Sequence, residues 1–305
     1  NFLKNQTVYR VLAPSYSCVS MLQSFIDRDM KVEFYKVGYR DGKFTYEIPN
    51  VDKHTVVLIM SYFGLGTSVC HEEIKKLHDR GAVVIEDITH SLLHNEPFSE
   101  YSDYLVASLR KWFAIPTGGW VGKRSGTIAE KPSMDSNHAV VEKIAGMHEK
   151  YDYLTGKTEK KENFLLTQAK FDNDLIHVDR MLKIDDTSLG ILERVDAKAV
   201  INQRRENAKV LIEGLSDLNI CVIPDIDLSV DTPLFVPIFM ETEKRDSLRK
   251  YLIGKGIYCP IHWPEVMGAP AGVRENELSL ICDQRYSEND MLVIVDCIKE
   301  WKESK

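Results

Sequence analysis

Short apolar runs rich in β-branched and aromatic residues alternate with amphipathic stretches from the start of the chain to about Val121. Helices crossing over between parallel strands produce this pattern. It predicts strands at Val8–Leu12, Val32–Val37, Val56–Met60, Ala82–Ile85, Asp103–Ala107 and Gly119–Gly122, short and apolar as fully buried strands are. Between them Val19–Arg28 and His71–Arg80 read as helices, the second ending in basic residues before Gly81, which suits a helix C-terminus. The expected fold class is α/β, a mostly parallel doubly wound sheet. Right-handed crossovers then bring the carboxyl ends of all the parallel strands to one rim, where chemistry belongs.

From Lys131 to Asp186 the chain turns charged and helical, including the solvated run Gly156–Asn163, and this predicts a helical excursion. A long helix is expected from near Leu192 to about Leu215, then strands Ile220–Ile223 and Leu234–Phe239, a helix Lys244–Gly254, a strand Ile257–Ile261 and a final helix Ser287–Trp301. The pattern divides the chain into a large domain over 1–191, with its excursion at 131–186, and a smaller α+β domain over 192–305 hung on the long helix.

With 305 residues, 44% apolar and 28% charged, the composition is that of a globular chain with enough apolar mass for one large core or two moderate ones. Lys and Arg number 39 against 46 Asp and Glu, a net charge of −7, and no basic stripe is present to neutralise a row of phosphates, so no nucleic-acid partner is expected. No apolar run reaches the roughly 18 residues that cross a bilayer, and the opening NFLKNQTVYR lacks a signal-peptide core. A cytoplasmic protein is the default expectation. The six cysteines are scattered without CxxC spacing, which predicts reduced thiols and no metal site. The chain opens on Asn1 rather than Met, which predicts a missing upstream piece.

Three segments on the expected rim carry chemistry. Asp87, in Glu86-Asp87-Ile88-Thr89-His90, follows an apolar strand, and a carboxylate there is desolvated unless a cation meets it. The plain alternative is a turn-capping Asp87 with a structural His90. Ser108-Leu109-Arg110-Lys111 follows the next strand. Arg110 beside Lys111 brings like-charge repulsion and desolvation, both of which favour a neutral, nucleophilic amine on Lys111. Ser108 and Arg110 can serve an anion; a surface basic pair is the alternative. Thr117-Gly118-Gly119 lets the backbone reverse close to whatever Lys111 holds. An acid, a histidine three residues on, and then Ser-x-x-Lys ahead of Gly-Gly offer pyridoxal 5′-phosphate an amine, a carboxylate for the ring nitrogen, a donor near the phenolic oxygen and some anion donors, but not a full phosphate cup.

The stretches VLAPSYSC (11–18), VVIEDITHSLL (83–93) and ASLRKWFAIPTGGWV (107–121) resemble the DegT/StrS-type branch of fold-type-I, pyridoxal phosphate-dependent aminotransferases, many of which act on nucleotide-linked sugars. The likeness continues through QRRENAKVL (203–211), GIYCPIHWP (256–264) and DQRYSENDM (283–291). It implies Lys111 as the residue that bonds the cofactor, Asp87 as the partner of its ring nitrogen and His90 beside the phenolic oxygen. Ser108 resembles a phosphate-binding serine, although the sugar aminotransferases place theirs where Val106 stands here. Tyr16, or Cys18 in place of the usual aromatic residue, would lie against the cofactor ring. Tyr62 would wall the pocket, with His262, Trp263, Arg110 and Arg285 facing substrate; plain packing is the alternative for Tyr62 and for His262-Trp263, and a pin between the two halves for the Arg285 segment.

The family's Gly-x-Asn-x-Arg segment is not found around Arg180 to Glu193, and its members carry some fifty residues ahead of the strand matching Val8–Leu12, including part of the phosphate cradle. The resemblance further implies a glutamate-like amino donor, a carbonyl acceptor such as a keto-sugar, and a homodimer. Two rivals stand beside it: a non-catalytic relative that keeps the fold, and a serine acyl-enzyme built on Ser108-x-x-Lys111.

Overall fold

The computed structural model describes residues 8, 10–128, 131–135, 137–176, 182–264, 266 and 268–304. The first part of the chain builds strands β1 (Arg10–Pro14), β2 (Val32–Arg40), β3 (Lys43–Glu47), β4 (Thr55–Met60), β5 (Val83–Asp87), β6 (Tyr104–Ser108) and β7 (Gly119–Lys123). They form one sheet in the order β3-β2-β1-β4-β5-β6-β7. The five inner strands are parallel, and β3 and β7 pair antiparallel at the edges. Helix α1 (Val19–Ile26) covers one face, where Leu22 and Phe25 meet Val11, Ala13, Val56 and Leu58. Helix α2 (Thr67–Asp79) covers the other, where Cys70, Ile74 and Leu77 meet Leu12, Val57, Ile59 and Val84. The sheet is thus doubly wound, and every position of β4 is buried, as an uninterrupted apolar run requires. The chain leaves β1 toward β2 and β4 toward β5, so the crevice outside the carboxyl ends of β1 and β4 is the topological switch point.

The six expected strands are present within a few residues, although residue 9 lies outside the described residues. β3 was not expected. It returns from β2 through Asp41-Gly42, both at positive φ (50° and 78°), with Arg40 and Lys43 paired across the turn. This is the two-residue hairpin that an Asp-Gly pair favours.

The excursion consists of α3 (Asn137–Leu154) and α4 (Lys161–Ile176), packed on each other. The long helix expected from near Leu192 is α6 (Ala197–Ser216), which begins five residues later than expected, after a short separate helix α5 (Asp186–Leu192). Asp196 stands at the N-cap of α6 and accepts the Ala199 N–H (3.0 Å), so the chain restarts there. After it come β8 (Val236–Phe239), α7 (Thr242–Gly254), β9 (Glu277–Leu280) and α8 (Glu288–Glu303), around a core of their own that includes Leu211, Ile238, Leu248, Leu278 and Ile298. Ile220–Ile223 and Ile257–Ile261 are not strands. The first makes one bridge, Val222 to Phe239, and is followed by Pro224; the second contains Pro260, which has no N–H to offer a ladder. The strand that pairs with β8 is β9 instead.

The two parts are tied through polar and aromatic contacts. Gln284 Nε2 donates to the Trp112 carbonyl (2.7 Å), Leu234 N–H donates to the Phe63 carbonyl (2.8 Å), and Tyr39 stacks on Phe239 at 3.9 Å.

Candidate active site

Asp87 and Glu86 end β5 on opposite faces because side chains alternate along a strand. Glu86 faces α2, where it accepts from Ser102 Oγ (2.6 Å) and lies 3.3 Å from His71 Nε2. Asp87 is buried, and its Oδ1 accepts the Thr89 N–H (2.8 Å). Burial pushes its carboxyl above the usual carboxylate range, against the opposing pull of the Thr89 hydrogen bonds and the Lys111 charge. No described cation lies within ion-pair distance of it.

Thr89 holds this corner together. Its Oγ1 accepts the Ser108 N–H (3.0 Å) from the end of β6, and its carbonyl accepts Trp112 Nε1–H (2.6 Å) from the residue after Lys111. The end of β5 is therefore fixed to the short 3-10 turn Leu109–Lys111 that carries the lysine. Lys111 is exposed, so the desolvation expected of it is not there, and Arg110 turns away to lie over the Phe171 ring of α4 at 5.6 Å. The Lys111 charge is felt at Asp87, His90 and His262 together. No hydrogen bond joins Ser108 Oγ to Lys111 among the described residues, which leaves the serine acyl-enzyme arrangement unbuilt. Thr117-Gly118-Gly119 carries the chain from this turn into β7, with Leu109 N–H donating to the Gly118 carbonyl (3.2 Å).

His90 is buried. Its Nδ1 accepts the Phe63 N–H (3.0 Å), so the ring proton sits on Nε2, and burial, with the Lys111 charge, holds the ring well below the usual histidine range. Phe63 is at φ 60° and Gly64 at φ 77°. A Cβ on Gly64 would stand 2.5 Å from the Thr232 carbonyl oxygen and 2.6 Å from that of His90, so the loop passes there only as glycine.

Across the switch point Tyr62 Oη donates to the Tyr16 carbonyl (2.7 Å), stapling the ends of β1 and β4. Tyr16 lies with ring centroids 5.0 Å from both Tyr62 and Trp263, and Trp263 lies 5.3 Å from His90. A cleft of about 100 Å³ lies between Ser15, Tyr16 and Ser17 on one side and Trp263, Pro264 and Ala271 on the other, and is not lined by Asp87, His90 or Lys111. Tyr16 Oη is buried beside Glu277 and completes no hydrogen bond of ordinary geometry.

The structure thus gathers Asp87, His90, Lys111, Tyr16, Tyr62, His262 and Trp263 around one rim. Cys18 stands at the N-cap of α1, two residues after Tyr16, with its Sγ 3.1 Å from Ser20 Oγ. Arg285 makes a two-pronged ion pair with Asp283 (2.6 and 2.9 Å) on an exposed loop. In the segment 180–193, residues 180 and 181 lie outside the described residues. Sequence reasoning did not find Glu277 and Ser279, which bond His262, or Arg204. An acid and a serine two apart in the otherwise apolar ELSL were the available signal.

No protein-family model matches the sequence, and no curated protein does. Solved structures match over nearly the whole chain. The aminotransferase TlmJ from Streptoalloteichus hindustanus is 14% identical, with a TM-score of 0.67 over 98% of this chain and 81% of its own. A DegT/DnrJ/EryC1/StrS aminotransferase from Brucella abortus is 15% identical, with a TM-score of 0.62 over 97% and 80%. The sugar aminotransferase CalS13 from Micromonospora echinospora is 13% identical, with a TM-score of 0.61 over 95% and 80%. The chain has the fold of these aminotransferases.

Proposed function

We propose that the protein is a pyridoxal phosphate-dependent aminotransferase that moves an amino group from a glutamate-like donor to a carbonyl acceptor of the keto-sugar class. The observation that carries the reading is Asp87: a buried carboxylate with no cation at ion-pair distance among the described residues, oriented by Thr89 at a strand end and tied through Thr89 to the turn of Lys111. Such a group favours a cation brought by a ligand, and the protonated ring nitrogen of the cofactor fits it. When bound, the cofactor supplies an electron sink for the bond broken at the donor's α-carbon.

The remaining roles belong to the chain. Lys111 Nζ would bond the cofactor and, once displaced by the donor amine, hold and return the α-proton. Asp87 would keep the ring nitrogen protonated. His90, neutral with its proton on Nε2, is a hydrogen-bond donor rather than a base, which suits a neighbouring phenolic oxygen. Trp263, Tyr16 and Tyr62 would exclude water from one side of the cleft. Phosphate ligands, the acceptor and the second subunit of a homodimer are carried by the resemblance alone. The division at 191/192 into a cofactor-binding and a smaller domain is part of the same proposal, in keeping with the separate apolar core after residue 207.

The test is to load the purified chain with pyridoxal phosphate and record the absorption of the lysine-bound form. Lys111→Ala is expected to abolish it and L-glutamate to bleach it. A band that survives Lys111→Ala refutes the assignment. The rival, a non-catalytic relative, draws support from the close approach of the Tyr16, Tyr62 and Trp263 rings at the rim. It predicts no band and no bleaching.

A further inference from the structure

Glu277 begins β9 and is fully buried, and Ser279 stands on the same face two residues on. Glu277 Oε2 accepts the His262 backbone N–H (2.9 Å), Ser279 Oγ donates to Glu277 Oε1, and Ser279 Oγ lies 2.8 Å from His262 Nδ1. With the carboxylate ionised, the directions are forced. The hydroxyl's one proton goes to Glu277, so Nδ1–H must be the donor to Oγ, and Nε2 keeps its lone pair. Nε2 makes no hydrogen bond among the described residues. With Glu277 protonated the chain reverses: Oε1–H donates to Oγ, Oγ–H donates to Nδ1, and the ring proton moves to Nε2.

We infer that Glu277, acting through Ser279, sets which ring nitrogen of His262 carries the proton, and that the three form a relay able to accept a proton from the Lys111 ammonium. A proton passed from Nζ to Nε2, directly or through water, would send the Nδ1 proton to Oγ and the hydroxyl proton to Oε1. No heavy-atom bond changes. A charged lysine and a charged glutamate become a neutral amine and a neutral acid. The inference rests on the proposed reading in one respect, that Lys111 is the amine that reacts. Glu277 and Ser279 are positioning residues; they touch His262 and not the reacting atoms.

Two physical features support it. Burial pushes Glu277 up to about 7, so both its forms are populated near neutrality. Burial and the Lys111 charge hold His262 down to about 3, so the ring changes tautomer rather than charge. The charged and titratable groups facing the relay are few. Tyr16 and Cys259 face Glu277, and Arg245 of α7 gives its Nη1–H to the Glu277 backbone carbonyl (2.9 Å), leaving the carboxyl to the relay. Lys111 and His90 face His262.

The test is nitrogen-15 NMR of the full chain labelled at histidine, with the His262 signals assigned by their loss in His262→Gln. The wild-type ring is expected as Nδ1–H well above pH 7 and Nε2–H well below it, following Glu277. In Glu277→Gln the amide oxygen must keep the His262 N–H, so its NH2 faces Ser279 and donates. His262 is then expected as Nε2–H at every pH. Ser279→Ala is expected to remove the pH dependence and Ser279→Thr, which keeps the hydroxyl, to retain it. A wild-type tautomer that ignores pH, or a Glu277→Gln spectrum equal to that of wild type, overturns the relay.

In the loaded protein, Glu277→Gln is expected to slow bleaching by L-glutamate at least about tenfold and to flatten its pH limb near neutrality, without loss of the lysine-bound band. A band with unchanged bleaching kinetics refutes the service to Lys111. Absence of any band with wild-type protein refutes the cofactor reading and leaves the tautomer measurement to judge the relay by itself.

Discussion

Arg204 of α6 is 2% exposed, and its guanidinium is the deepest cation linking the two parts of the chain. Nε donates to Gln284 Oε1 (2.8 Å), Nη1 donates to the carbonyls of Leu234 (3.0 Å) and Pro233 (3.3 Å), and the group lies over the Trp112 ring at 4.6 Å. Gln284 in turn donates to the Trp112 carbonyl, so the fork ends one residue from Lys111. Arg204→Ala leaves the buried Leu234 carbonyl without its arginine donor, at roughly 1–3 kcal/mol, takes a donor from the half-buried Gln284 Oε1 and from the Pro233 carbonyl, which keeps Cys282 Sγ (3.5 Å), and removes a ring contact of about 1–2 kcal/mol. Relief of a buried charge offsets part of this; burial already lowers the guanidinium's hold on its proton. The net loss should be about 2–3 kcal/mol, as for breaking a buried hydrogen-bond network. Urea unfolding followed by tryptophan fluorescence measures it. Arg204→Lys should lose most of the same amount, because an ammonium is a point charge without the planar fork. A cost below about 1 kcal/mol for Arg204→Ala, or a lysine variant as stable as wild type, would refute the view that this fork holds the lysine turn in place.

Three further outcomes follow from particular contacts. Gly64→Ala should destabilise by about 3 kcal/mol or more, because its Cβ meets two carbonyl oxygens at a positive φ; a urea midpoint equal to that of wild type would show that the loop has another course. Asp87→Asn should raise the cofactor concentration needed for half-saturation about tenfold or more while leaving unfolding in urea nearly unchanged, since an amide replaces a carboxylate that burial already penalises; equal titration curves would count against Asp87. Glu277→Gln compared with wild type across pH should show the cost of a buried charge. The folded carboxyl binds its proton up to about 7, against about 4.5 for an ordinary one, so its contribution is fully present below about 4.5 and is lost as pH rises through about 7. The variant lacks that loss and should gain about 3 kcal/mol relative to wild type between acid and mildly alkaline pH. A constant difference would contradict it.

What the sequence made legible is what is local. The run from residue 82 to 87 is apolar and then abruptly acidic, which marks both a buried strand and the end that faces the crevice. The Asp87, His90 and Lys111 positions follow from two neighbouring strands whose order the crossover rule supplies. The Asp41-Gly42 hairpin is equally local, an Asp-Gly pair joining two short strands. In the second part the signals conflict. Pro260 interrupts the apolar run Ile257–Ile261, while β9 is four residues long with an acid and a serine on one face, a composition typical of a loop. Only the pairing with β8 makes it a strand.

The residues that reasoning along the chain could not reach are those whose partners are far away in sequence. Arg204 meets Gln284 across 80 residues, and Gln284 meets Trp112 across 172. Glu277 and His262 are only 15 apart, yet each has a plain local reading, an exposed loop acid and a strand-end histidine, until β9 buries the acid. The division has a physical basis. Groups that must meet a ligand are set at strand ends by backbone geometry, and that geometry is written in hydrophobic periodicity. Groups that fix the protons of those residues act through burial, and burial belongs to the assembled core. Arg110 shows both sides. Its place beside Lys111 was read correctly, but the expected repulsion assumed two side chains held together at the mouth of the sheet. In the folded chain Arg110 lies on Phe171, an aromatic ring supplied by α4, 61 positions further along, so the amine is left to interact with Asp87, His90 and His262.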